Sequence, residues 1–117
     1  MQHSDDILSQ LPLTEATYFI LLSLAPGPAH GYAIMKDTRQ LSHGRVVLST
    51  GTLYTALKRL LDQGWIARDG ASHETVNGRQ RKAYRLTELG QRILQAEVQR
   101  LQGLVGAAQL RSLGNPA

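Results

Sequence analysis

Between Ser49 and Gly64 the side chains segregate into two sides of a helix, and this segregation limits the fold more than any other feature of the sequence. Placed at intervals of about 100°, Leu53, Ala56, Leu57, Leu60 and Leu61 fill one apolar sector. Gly51, Thr52, Thr55, Lys58, Arg59 and Asp62 fall on the opposite side. Ser49 suits an N-cap and Gly64 a C-terminal stop, so the pattern predicts a helix over 50–63. Such a rod must lay its leucines on a core and leave hydroxyls and cations outside.

The flanking segments supply that core. Thr14 is predicted to cap a helix from Glu15 to about Ala25, with Glu15 opposing the macrodipole and Pro26-Gly27-Pro28 ending it. A further helix is expected from Gly31 to about Leu41, with Ile34 and Leu41 on one face and Ser42-His43-Gly44 closing it. Val46-Val47-Leu48 reads as a brief strand or an extended connector. After Gly64, Trp65–Arg68 reads as a strand, Asp69 to Gly78 as a polar turn region and Lys82–Leu86 as a returning strand. Thr87 is the expected N-cap of a last helix, from about Glu88 to Arg111.

Within that last helix Leu94, Val98, Leu101, Val105 and Ala108 recur at 4-3-4-3 spacing, the spacing of a heptad seam. Leu89 and Ile93 are expected to face the domain's own core. Gly103 and Gly106 each weaken the helix by about 1 kcal/mol relative to Ala. Yet a rod of about 36 Å exceeds what one small domain can cover, so the seam predicts pairing with a second copy. The expected architecture is mainly α with a small β-hairpin (α+β), a winged helix-turn-helix. Residues 1–11 read as a flexible arm, 12–87 as the winged domain, 88–112 as a dimerisation helix and 113–117 as a tail.

The 117 residues suit one domain, and no apolar run approaches the roughly 20 residues that cross a bilayer. The opening Met1–Asp6 carries acids where a signal peptide carries bases, which predicts a cytoplasmic location. Without cysteine there are no disulfides or thiolate ligands. His3, His30, His43 and His73 form no close pair on a helix face, so no metal site is expected, and His30 reads as a packing or capping residue. Ser49 and Ser72 lack evident base and orienting partners, and no glycine-rich phosphate loop is present; the chain does not read as an enzyme, and no cofactor is expected.

Charge is the more telling property. The net charge is +4, but from His30 to Arg85 ten Lys and Arg face four acids. A basic middle suits a polyanion. A helix about 10–12 Å across fits the major groove of B-DNA, whose width is about 12 Å. Thr52, Thr55 and Lys58 are placed to reach base edges or phosphates, and Gly51 lets the helix start approach a phosphate closely. Arg79, Arg81 and Lys82 suit the flanking backbone or the minor groove. Tyr54 lies at the border of the apolar sector, its ring packed and its hydroxyl left to reach a phosphate. Tyr32 fits either packing or contact, Trp65 and Tyr84 read as core, and Asp62 is expected to pair with Lys58 or Arg59. The competing reading is a protein-interaction adaptor that does not touch DNA.

Several stretches resemble the PadR family of bacterial transcription regulators: Leu22–Ala25, His30–Ile34, Ser49–Leu60 and Gly78–Gly90, in that order. The resemblance covers roughly Leu13 to Leu94. It implies a winged-helix domain with a C-terminal dimerisation helix, acting usually as a repressor released from DNA by a small molecule. It assigns DNA contact to the helix from Gly51 to Arg59, to the region around Tyr32 and to the wing from Arg79 to Lys82. Thr55 departs from the pattern, since many relatives have proline there. The chain is similar to the short members, with one long terminal helix. The candidate DNA-contacting set is Tyr32, Lys36, Ser49, Thr50, Gly51, Thr52, Tyr54, Thr55, Lys58, Arg59, Arg79, Arg81 and Lys82. The candidate partners are double-stranded DNA, a second copy of the chain and a small hydrophobic effector, with no membrane.

Overall fold

Three hydroxyl caps set the helical frame. Thr14, Ser49 and Thr87 each accept a hydrogen bond from the backbone N–H three residues on, opening α2 (Glu15–Ser23), α4 (Thr50–Gln63) and α5 (Glu88–Leu110). α3 (Gly31–Leu41) starts from His30, which stands at the N-cap in an extended conformation. α4 stops at Gly64, whose φ of 78° is left-handed and favours glycine. A computed structural model describes residues 3–70, 74–76 and 79–111, with side chains described over 6–70 and 82–111.

The predicted leucine sector does form the centre of the core. Leu53, Leu57 and Leu60 pack with Ile20, Leu21, Leu24, Ile34 and Ile93, all buried, and Trp65, Ile66, Tyr84 and Leu94 complete the cluster. Trp65 and Tyr84 are therefore core residues, as their place in the strands predicts.

β1 (Ala29–His30), β2 (Ile66–Arg68) and β5 (Ala83–Leu86) make an antiparallel sheet in the order β1-β5-β2. Ala29 pairs with Tyr84 and His30 with Ala83, while Ile66 faces Leu86 and Arg68 faces Tyr84. The expected polar turn region carries further pairing, because β3 (Glu74–Val76) and β4 (Arg79–Arg81) form their own ladder. The hairpin thus reaches beyond its predicted strands. Residues 71–73, 77–78 and the expected tail at 113–117 lie outside the described residues.

Three expectations are corrected, and the alternative left open at Val46–Leu48 is resolved. The supposed N-terminal arm contains α1 (His3–Leu8), which touches α5 and packs Ile7 on the core. Val46–Leu48 is an extended connector without strand pairing. Leu41 is 43% exposed, because the buried face of α3 runs through Gly31, Ile34, Thr38 and the C-cap Ser42 and leaves Leu41 at its edge. Leu89 is 40% exposed beside a cleft lined by Ile7, Trp65 and Ile93, so only Ile93 of the expected pair is enclosed.

The end of α4, the start of β2 and the start of α5 meet at one knot. The Thr87 hydroxyl donates to the Gly64 carbonyl at 2.6 Å, and the Thr87 backbone N–H donates to the Trp65 carbonyl at 3.1 Å. A β-carbon on Gly90 would collide with that same Trp65 carbonyl, so residue 90 must be glycine for α5 to lie this close. No helix among the described residues is long and apolar enough to cross a membrane.

Candidate nucleic-acid interface

α4 presents the predicted outward row. Thr50, Gly51, Thr52, Tyr54, Thr55, Lys58, Arg59 and Asp62 are all exposed, while the leucines at 53, 57 and 60 are sealed beneath them. The Ser49 side chain caps the helix through Thr52 N–H at 3.1 Å. A β-carbon on Gly51 would meet nothing within 4 Å, so the approach to the first turn is open. Ser49, Gly51, Thr52, Thr55 and Arg59 share one groove of 580 Å³ with Thr14, Thr17 and Leu48. The groove therefore has two walls, the outer face of α4 and the N-terminal turn of α2.

The cations on this surface are already oriented. Lys58 pairs with Asp62 at 3.3 Å, the expected intrahelical partner, leaving the acid compensated on this face. Arg59 turns instead to α2, donating from Nη2 to Thr17 Oγ1 at 2.9 Å. Arg45 clasps Glu15 at 2.8 Å, which fastens the loop after α3 to the first turn of α2. Both ion pairs are solvated, so each contributes less to stability than to placement.

The second set of residues is brought in by the sheet. Because His30 pairs with Ala83, the preceding Lys82 stands at the wing root beside the start of α3, and it is exposed. Tyr32, in the first turn of α3, is 64% exposed. Tyr54 reaches from α4 to this same place, its phenol lying against Gly31. Lys36 is exposed one turn further along α3. Arg79 and Arg81 belong to β4, and their side chains lie outside the described ones.

Beneath this surface, Tyr84 is buried with the Arg68 guanidinium 5.8 Å from its ring centroid. Burial pushes its phenol above the usual tyrosine value, with Arg68 acting in the opposite direction. It stays a neutral core residue under the wing.

The predicted pairing seam is split. Leu94 is only 7% exposed and packs in the subunit's own core cluster, unlike the residues that follow it in the seam. Val98, Leu101 and Ala108 are half-buried and Val105 is exposed. With Tyr18 from α2, Val98, Leu101 and Val105 line an apolar groove of 390 Å³. Leu104 and Leu110, outside the 4-3-4-3 seam, are also exposed.

Two polar residues escape a reading by helical faces. Thr17 is joined to the Thr14 cap and to Arg59, and Glu97 is buried within α5 at 2% exposure. Glu97 accepts from Leu13 N–H at 3.0 Å and from Arg100 Nε at 2.6 Å. The Arg100 hydrogen bond holds its carboxyl below the usual carboxylate range, with burial opposing and the Leu13 N–H assisting. The one sequence signal for Glu97 is its place directly before Val98 of the seam.

Comparison with known proteins sets this geometry in context. A PadR family transcription regulator from Clostridium difficile superposes with a TM-score of 0.66 at 24% identity, over 83% of this chain and 97% of that one. A PadR family transcriptional regulator from Eggerthella lenta matches over 98% of this chain and 100% of its own, at 27% identity and a TM-score of 0.61. Bacillus subtilis PadR, solved in complex with operator DNA, is 25% identical over 74% of this chain and 48% of that one, with a TM-score of 0.62. Curated proteins give no significant match. The family model described as transcriptional regulator PadR-like matches residues 20–96, from α2 through the wing into α5. With its winged helix-turn-helix architecture and that match, the chain belongs to the PadR-like family of transcriptional regulators and is not an enzyme.

Proposed function

We propose that this regulator binds duplex DNA as a homodimer, inserting α4 of each subunit into successive major grooves about 34–36 Å apart on a near-palindromic operator. The observation that carries the reading is the exposed row from Thr50 to Arg59 on a helix whose opposite face is sealed by leucines. Lys82 at the wing root and Tyr32 at the start of α3 flank that row. Arg79 and Arg81 extend the cationic wing. That Bacillus subtilis PadR, of the same fold, was crystallised with operator DNA supports the assignment.

Pairing uses the distal half of α5, through Val98, Leu101, Val105 and Ala108. The chain acts as a repressor, and a small hydrophobic effector lodged between the last helices and the winged domains releases it. Such an effector works only through a difference in affinity between the DNA-bound and free arrangements.

A gel shift against DNA upstream of the chain's own coding region, run at low and moderate salt with nonspecific competitor, tests the reading. A discrete complex that survives competitor and weakens steeply with salt is expected. Absence of any complex at low salt overturns it.

A further inference from the structure

We propose that Thr17 and Glu97 are positioning residues through which the last helix sets the pose of Arg59 on α4. The proposal rests on the reading of α4 as the DNA-contacting helix.

The connection is continuous. Arg100 donates to Glu97 from Nε at 2.6 Å and from Nη2 at 3.0 Å, and Leu13 N–H donates to Glu97 Oε2 at 3.0 Å. Leu13 is bonded to Thr14, the cap of α2. The Thr14 hydroxyl donates to Thr17 Oγ1 at 3.0 Å, and Thr17 Oγ1 also accepts from Arg59 Nη2 at 2.9 Å. Glu97 is 2% exposed and Thr17 5% exposed, so water does not compete freely for these bonds.

A carboxylate at position 97 is a costly way to fill the core, since an apolar side chain would pack there without desolvating a charge. What the carboxylate adds is direction, because it fixes the residue before the Thr14 cap to a chosen turn of α5. Thr17 then presents one lone acceptor to the guanidinium, leaving Nε and Nη1 of Arg59 for a phosphate. Glu97 also directly precedes Val98 on the proposed pairing surface. A shift of α5 against its partner therefore pulls on Leu13, on the α2 cap and finally on Arg59.

The test combines Thr17→Val, Thr17→Ser and Glu97→Gln in the full chain, with Arg100→Lys replacing Glu97→Gln should that variant fail to fold. In the free protein, the Arg59 Nε–H resonance is followed by NMR. It is expected to move in the same direction in Thr17→Val and Glu97→Gln and to stay in place in Thr17→Ser. An Arg59 signal that ignores Glu97→Gln and Arg100→Lys overturns the proposal.

With the operator duplex, Thr17→Val is expected to weaken binding by about fivefold, the scale of one net hydrogen bond, and Thr17→Ser to restore it. Glu97→Gln should weaken binding in the wild-type background and not further in the Thr17→Val background. Effects that multiply independently overturn the connection. If the Arg59 signal responds as expected and the wild-type chain binds no duplex, the DNA reading falls and the internal connection stands.

Discussion

The phenol of Tyr54 occupies the space that a β-carbon on residue 31 would need. Gly31 is thus the seat on which α4 crosses the start of α3, and it fixes how Tyr54 and Tyr32 lie relative to each other. Gly31→Ala is expected to destabilise the fold by about 1–3 kcal/mol, as overpacking does. Tyr54→Phe removes the nearest clashing atom, so the double variant should recover part of the loss. Thermal unfolding of the four proteins checks this, and strict additivity would place the contact elsewhere.

Gly90→Ala meets backbone instead of a side chain, since its β-carbon runs into the Trp65 carbonyl. That carbonyl is held by the Thr87 N–H and cannot rotate away without losing the bond, and a loss of about 3 kcal/mol is expected, at the upper end for an inserted methyl. Gly51→Ala is the contrast. Its β-carbon meets nothing within 4 Å, and alanine favours the helix by up to about 1 kcal/mol. Gly51→Ala should leave stability equal or higher and weaken DNA binding, measured by denaturant titration and gel shift on one preparation.

Acidity should act through Glu97. Its folded-state pKa lies below the unfolded value, so its contribution is complete above the ordinary carboxylate pKa of about 4.3 and is lost as pH falls through the lower folded value. Denaturant titrations between pH 7 and pH 3 should show stability falling at the acid end for the wild type. Glu97→Gln should be less stable near neutrality and lose less on acidification. Parallel pH profiles would mean that another carboxylate dominates.

Removing the cation at the wing root, Lys82→Ala, should reduce the salt dependence of DNA binding by up to about one logarithmic unit per subunit if it meets a phosphate. Its stability should be unchanged, because Lys82 is exposed and its side chain supports nothing in the core. Binding measured across salt concentrations checks the slope, and an unaltered slope removes the wing root from the interface.

The split of the α5 seam separates two phenotypes. Leu94→Ala should destabilise the subunit by about 2–5 kcal/mol, the range for a buried leucine. Val105→Asp, at a position 55% exposed, should leave the subunit folded and shift sedimentation from dimer to monomer. A dimer that persists in Val105→Asp would move the pairing surface off this face.

What the sequence made legible was local. The caps at Thr14, Ser49 and Thr87 and the stop at Gly64 depend on neighbours within four residues, and α4 was readable to its ends for that reason. β1 was not, because Ala29 and His30 are a strand only by pairing with Ala83 and Tyr84, far along the chain. Leu41 lies at the edge of the face that Ile34, Thr38 and Ser42 bury, and Leu89 borders a cleft, and a helical projection does not say how far a neighbouring element covers such an edge. The same holds for the polar contacts. Arg59 meets Thr17 across 42 residues and Glu97 meets Leu13 across 84, and no periodicity encodes either. Of the candidate interface, the exposed row of α4 was readable; the wall that α2 adds to it was not.

The distal turns of α5 touch little of their own subunit, and Gly103 and Gly106 lie there with no atoms close to where a β-carbon would stand. Glycine loosens a helix that nothing supports, so in the proposed pairing the coiling of these turns and the meeting of two copies are a single equilibrium. The abundance of the chain then becomes a control in its own right: a dilute population has frayed ends and unlinked reading heads, and only a sufficiently concentrated one has the fixed spacing that an operator can recognise.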